Sequence, residues 1–197
     1  LRREKNLEKF VRQICYRPFD SRRIFYHPSL VWGMSYPTMR HMLSGQNIGM
    51  MVGRAGQVIG QDEWDIAFCT RSLTEFNLFR RGGHNLFPLY LEPDSDGQQT
   101  SLGHNTDRQL NLSAGFLQAL AFAMGVPQEG AYQLPAGVTA EEAFSYIYAQ
   151  LYCPGYRQRY AECLKIDYPR VFLPKSEGLF RALAALGGEM AAVHLLE

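Results

Sequence analysis

No apolar run in this 197-residue chain reaches the roughly 18 residues a membrane-spanning helix needs. Residues 1–11 mix Lys, Arg and Glu with isolated apolar residues and are unlike a secretory signal. Four cysteines (Cys15, Cys69, Cys153 and Cys163) form no C-x-x-C pair. Free thiols in an intracellular, cytoplasmic protein are therefore expected. The common catalytic strings are absent: no G-x-x-x-x-G-K-[ST] phosphate loop, no G-x-S-x-G elbow, no H-E-x-x-H pair. Lysine is scarce, with Lys5, Lys9, Lys165 and Lys175 the only ones among 20 basic residues. The chain also starts at Leu1 rather than methionine, so an excised piece of something longer is expected.

What is present describes a globular domain. Hydrophobic residues make up 46% and charged residues 20%, enough to build a core and too little charge for a disordered tail. The net charge of +1 hides an asymmetry. Through Arg81 there are 13 basic residues against 7 acidic, and from Gly82 onward 7 against 12. The arginine bias matters because a guanidinium offers a planar fork of donors suited to phosphates and base edges.

Residues 1–14 place Leu7, Phe10, Val11 and Ile14 at helical spacing, which predicts an amphipathic linker helix. The stretch YRPFDSRRIFYHPSLVW, broken by Pro18 and Pro28, reads as extended pieces. A short helix follows in YPTMRHMLSG, with Pro37 near its first turn and Gly45 after its end. Residues 47–54, 64–70 and 85–92 are β-leaning and separated by glycines, which predicts a small twisted mixed sheet. The polar stretch 92–109, in which Leu102 is the one aliphatic residue, offers a core too little to bury and reads as a loop. From residue 110 the period turns helical. Thr139 and Glu142 form a capping box before AFSYIYAQLY, Pro154 stops that helix or opens the next, and residues 176–197 make a last helix. The expected fold class is α+β: a β-rich part at 15–92, a polar loop at 93–109 and helical support at 110–197.

Candidate chemistry is mostly binding chemistry. His27, His41, His84, His104 and His194 are scattered, and Asp62, Glu63 and Asp65 read more simply as a turn than as a cation site, so no metal is expected. Arg17, Arg22, Arg23, Arg40, Arg54, Arg71, Arg80 and Arg81 all lie in the β-rich part, among Asn, Gln, Tyr and His. Arg can grip both major-groove acceptors of guanine, and Asn or Gln can pair with adenine. The base-reading candidates are Arg54 and Gln57 in the glycine-rich GRAGQVIG stretch, with Arg71, Arg80 and Arg81. Arg22, Arg23 and Arg40 are the phosphate candidates, whose contribution would fall with salt.

The strings YRPFDSRRIFYHP, LFRRGGHNLFPLYLEP and YIYAQLYCPGYRQRYAECLKIDYPRVFLP, with the tail LGGEMAAVHLLE, occur here in order. Together they resemble the C-terminal target-recognition (specificity) domain of type ISP restriction–modification enzymes, over about residues 15–196. That resemblance implies a non-catalytic module for double-stranded DNA in a bacterial adenine-specific DNA methyltransferase, whose catalytic parts lie upstream. An N-P-P-Y-type motif and a glycine-rich methyl-donor site do not occur in this chain. S-adenosylmethionine, ATP and magnesium are accordingly expected only in those upstream parts, with the methyltransferase domain as intramolecular partner. An enzyme that methylates a base amino group must flip the base out, so a separate surface to grip and read the duplex makes physical sense.

Two rivals remain at this point: a scaffold or protein-interaction domain of the same enzyme, and a small nuclease or hydrolase using His84 or the acids at 62–65. A reader should gather its arginines on one groove-sized basic face. A scaffold should show them paired and dispersed.

Overall fold

The computed structural model describes residues 6–53, 64–79, 83–93 and 108–197. A single 3-10 turn at Glu8–Phe10 leads into strand β1 (Val11–Arg17), which pairs antiparallel with β2 (Asp20–Phe25). The expected helix over 1–14 is thereby corrected, since its apolar residues Val11 and Ile14 belong to a strand. The reason lies outside the segment: β2 supplies a hydrogen-bonding partner, and the two-residue turn Pro18-Phe19 closes the hairpin. Phe19 stands at φ 63°, a region that large side chains enter only when packing holds them there. Its ring is held edge-on to Phe68 at 5.2 Å and to His194 at 5.7 Å.

The short helix α1 (Tyr36–Met39) carries Pro37 in its first turn and runs on as a 3-10 turn at Arg40–Met42. Strands β3 (Gly49–Val52), β4 (Ala67–Thr70) and β6 (Asn85–Pro88) form an antiparallel sheet in the order β4-β3-β6. Between them β5 (Leu73–Thr74) joins β1 in parallel, so the first sheet is mixed, in the order β2-β1-β5. The two ends of the polar stretch meet as β7 (Tyr90–Leu91) and β8 (Gln109–Leu110).

The back half is helical. Helix α2 (Ala114–Met124) is capped by Ser113 and ends at Gly125 in the left-handed conformation, where glycine carries no Cβ penalty. Helix α3 (Ala140–Tyr152) has the reciprocal Thr139–Glu142 capping box. The next segment divides at Tyr160 into α4 (Pro154–Arg159) and α5 (Ala161–Ile166), and α6 (Glu177–Leu195) closes the chain.

α3 stands between two cores. Phe144, Tyr148 and Leu151 pack with the sheet residues Met51, Ile66 and Phe68, whereas Ala143 and Tyr146 pack with Leu120, Phe180 and Ala184. α6 approaches α3 through Ala184, Gly187 and Ala191, all buried. A Cβ on Gly187 would collide with the Ser145 carbonyl and come within 3.1 Å of the Ala149 nitrogen. The fold is α+β, and no described helix is long and apolar enough to cross a membrane.

Candidate nucleic-acid interface

Arg54, Gln57, Arg80 and Arg81 fall outside the described residues, but the backbone at their roots is on view. β3 ends and β4 and β6 begin at the same end of their sheet, because Val52 pairs with both Ala67 and Asn85. Gly53 lies there against Gly83: a Cβ on Gly53 would stand 3.2 Å from the Gly83 carbonyl and 3.0 Å from Ile66. The Gly53 amide donates to the Ile66 carbonyl at 3.0 Å, and Trp64 Nε1 donates to the Gly53 carbonyl at 3.0 Å. The Phe76 ring occupies the place a Gly83 Cβ would need, 2.6 Å away. Residues 53 and 83, from which segments 54–63 and 80–82 continue in the sequence, are thus adjacent, with little room for a side chain at Gly53.

The segment that follows β7 is anchored as firmly. Arg40 Nη1 donates to the carbonyls of Glu92 at 3.1 Å and Pro93 at 3.2 Å, and His41 Nδ1 accepts from the Glu92 amide at 2.8 Å. Arg108 pairs with Glu92 at 3.1 Å and stacks on Tyr90. The fully buried Asn47 donates to the His41 and Tyr90 carbonyls and accepts from the Tyr90 amide. Arg40 therefore holds backbone here.

The remaining candidates divide among different faces. Arg71 follows β4, at the end opposite Gly53 and five strand residues beyond Ile66, about 17 Å along the sheet at about 3.3 Å per strand residue. Its fork grips Glu197, with Nε donating to Oε1 at 2.7 Å, and this hydrogen bond holds the Glu197 carboxyl below its ordinary value. Arg22 and Arg23 are adjacent in sequence and so point to opposite faces of the hairpin. Arg22 stands beside Ile14, takes Asp20 in a two-pronged grip at 2.7–3.1 Å, and stacks on Tyr16. That grip lowers the Asp20 carboxyl. Arg23 stands across from Gln13, exposed and with no side-chain partner among the described residues. Gln13, Ser21, Thr70, Arg71, Ser72 and Glu197 line one side of a groove of about 350 Å³ whose other lining includes Phe19, Phe68 and Leu196. Arg23 and Arg71 thus belong to the groove side and Arg22 to the other.

The expectation of one shared guanidinium platform is not met among the described arginines, since Arg17, Arg22 and Arg71 each pair with a carboxylate. Gln13, absent from the sequence-based candidates, lies in the groove; reading Val11, Gln13 and Cys15 as alternating strand positions would have found it. Arg157 takes a different set of partners. It pairs with no carboxylate among the described residues; Nε donates to the Leu151 carbonyl at 2.6 Å and the guanidinium stacks on Tyr152 and Trp64. The helical half therefore braces Trp64, and through it the root at Gly53.

Nothing catalytic assembles among the described residues. His84 is buried, with Nε2 3.2 Å from Thr74 Oγ1, and burial pushes it down to about 4. Burial likewise raises the Cys15 and Cys69 thiols to about 11, far from the thiolate a nucleophile needs. No three His, Cys, Asp or Glu side chains among the described residues are placed to hold a metal ion. Asp62 and Glu63 lie outside them, and Asp65 and His84 line different cavities.

The family model of the type ISP C-terminal specificity domain matches residues 1–197. Three solved structures share the fold. The DrdV–DNA complex seen by cryo-electron microscopy aligns with TM-score 0.70 and 23% identity over 98% of this chain and 16% of that one. The ATP-dependent type ISP restriction–modification enzyme LlaBIII bound to DNA aligns with TM-score 0.67 and 19% identity over 98% of this chain and 11% of that one. A nuclease-deletion mutant of the type ISP enzyme LlaGI, in complex with a DNA substrate mimic, gives TM-score 0.59 and 18% identity over 94% and 11%. This chain thus spans 16% or less of the length of each. No curated protein matches it.

Proposed function

The chain belongs to the type ISP C-terminal specificity domain family, and from that premise we propose that it is the non-catalytic module through which a longer bacterial restriction–modification enzyme recognises double-stranded DNA. The observation that carries this reading is the family match over all 197 residues. It is supported by the three similar structures, each a complex with DNA or a DNA mimic. In this reading adenine methylation belongs to the upstream part of the same cytoplasmic polypeptide, which would bind the methyl donor, ATP and magnesium.

The geometry suggests how such a module would work. The sheet sets Gly53 and Gly83 side by side, and the segments that continue from them in sequence carry Arg54, Gln57, Arg80 and Arg81. These are the residues assigned to base reading, with Arg71 on the groove. Arg23, exposed and unpartnered among the described residues, is the best-placed phosphate contact. Arg22 and Arg71 would have to exchange a carboxylate for DNA. Such solvent-exposed pairs contribute little to stability, so the exchange is cheap.

A second reading, as an intramolecular scaffold, is favoured by one observation: Arg17, Arg22 and Arg71 are already paired. One experiment separates the two. Arg80→Glu combined with Arg81→Glu in the longer enzyme should weaken target binding by at least about 30-fold, since each base contact contributes about 1–3 kcal/mol. Methyl-donor binding should be unchanged. Unaltered DNA binding would leave the chain as a scaffold.

A further inference from the structure

We propose that the outward face of α6 is the seat of a helix contributed by the rest of the polypeptide; the proposal rests on the reading of this chain as one module of a longer enzyme. The inward face of α6, at Phe180, Ala184, Gly187 and Ala191, is consumed by packing within the module. The opposite face is apolar as well. Leu179, Leu186 and Val193 are 42%, 58% and 64% exposed, and Leu196 just beyond the helix is 75% exposed. Ala182 and Ala185 are exposed between them.

A surface helix keeps its outward face charged, whereas one that is apolar all round is buried all round. Glu189 is the one charged residue on this face. Other polar residues of the helix are engaged elsewhere: Arg181 binds Glu142 and Glu177, and His194 turns inward to the Tyr148 hydroxyl. Something is therefore missing from this face.

Its spacing says what. Leu179, Leu186 and Val193 recur every seven residues, with Ala182, Glu189 and Leu196 at the intervening positions, which is the pattern that receives another helix at a shallow angle. Nineteen residues give the seam a length of about 28 Å. DNA is a poor occupant, because the face holds no cation and Glu189 would repel phosphate. The matching segment makes up only 16%, 11% and 11% of the three similar chains, so a partner helix within one polypeptide has ample sequence to come from. Glu189 calls for a Lys or Arg on it.

The test is side-chain footprinting by a photoactivated carbene on the intact native polypeptide, with the same residues in the urea-unfolded protein as reference. A covered face should give native-to-unfolded labelling below about one tenth at Leu179, Leu186 and Val193, with or without DNA and regardless of dilution. Labelling near one half, as the exposures here imply, would overturn the proposal. So would protection that disappears on dilution, which marks a second copy, or protection that needs DNA. An intact mass of 22.4 kDa for the native polypeptide would instead remove the functional reading itself, whatever the footprint.

Discussion

Gly187 and Gly188 are neighbours in sequence with opposite consequences. A methyl group on Gly187 meets the Ser145 carbonyl and the Ala149 nitrogen, backbone on both counts, while one on Gly188 finds only Ser145 Oγ at 3.7 Å. Helix propensity favours alanine at both by about 1 kcal/mol. Gly187→Ala should nevertheless cost about 3 kcal/mol in urea unfolding, because neither helix can retreat without opening the seam. Gly188→Ala should gain about 0.5–1 kcal/mol. His84 makes a pH prediction. The unfolded chain takes up a proton near the ordinary histidine value of 6.5, and the folded chain resists it down to about 4. Stability is therefore full above 6.5 and falls as pH drops through that window. His84→Gln should abolish about 3 kcal/mol of that fall, read as the difference between the two unfolding curves. Neither effect is legible in sequence, where both glycines look alike and His84 is one of five histidines.

Elements whose signals are local were legible. Thr139 Oγ1 accepts from the Glu142 amide at 3.1 Å, and the Thr139 amide donates to Glu142 Oε2 at 2.8 Å. Thr139→Ala should lower the unfolding free energy by about 1 kcal/mol. Ser113 before α2 and Gly125 after it act just as locally, because a cap acts within one turn. The segment of β1 is illegible in sequence for the opposite reason. Its apolar residues fit a helix, and the decision lay with β2 across the Pro18-Phe19 turn and with β5, some 60 residues on. α6 was found as a helix, but its large apolar residues did not say which face is buried. The inward face is Phe180 with Ala184, Gly187 and Ala191, the last three small enough for close approach to α3.

At the scale of the molecule, the proposed DNA contact should be electrostatic and dispersed. Arg23→Ala in the longer enzyme should weaken binding about equally for all sequences and reduce the slope of log K against log salt by about 0.9, the signature of one lost phosphate contact. A loss confined to the target sequence would make Arg23 a base reader instead. The sequence alone determined the α+β division, the arginine-rich front half, the helix caps and the resemblance to a specificity domain. All of these reside in composition or in spacing along the chain. Only the tertiary structure decided that Gly53 and Gly83 form adjacent roots, that Arg22 and Arg23 face opposite ways, and that Arg40 and Arg71 are occupied at separate ends. Those outcomes depend on strand pairing between distant segments, and pairing register sets where every side chain points.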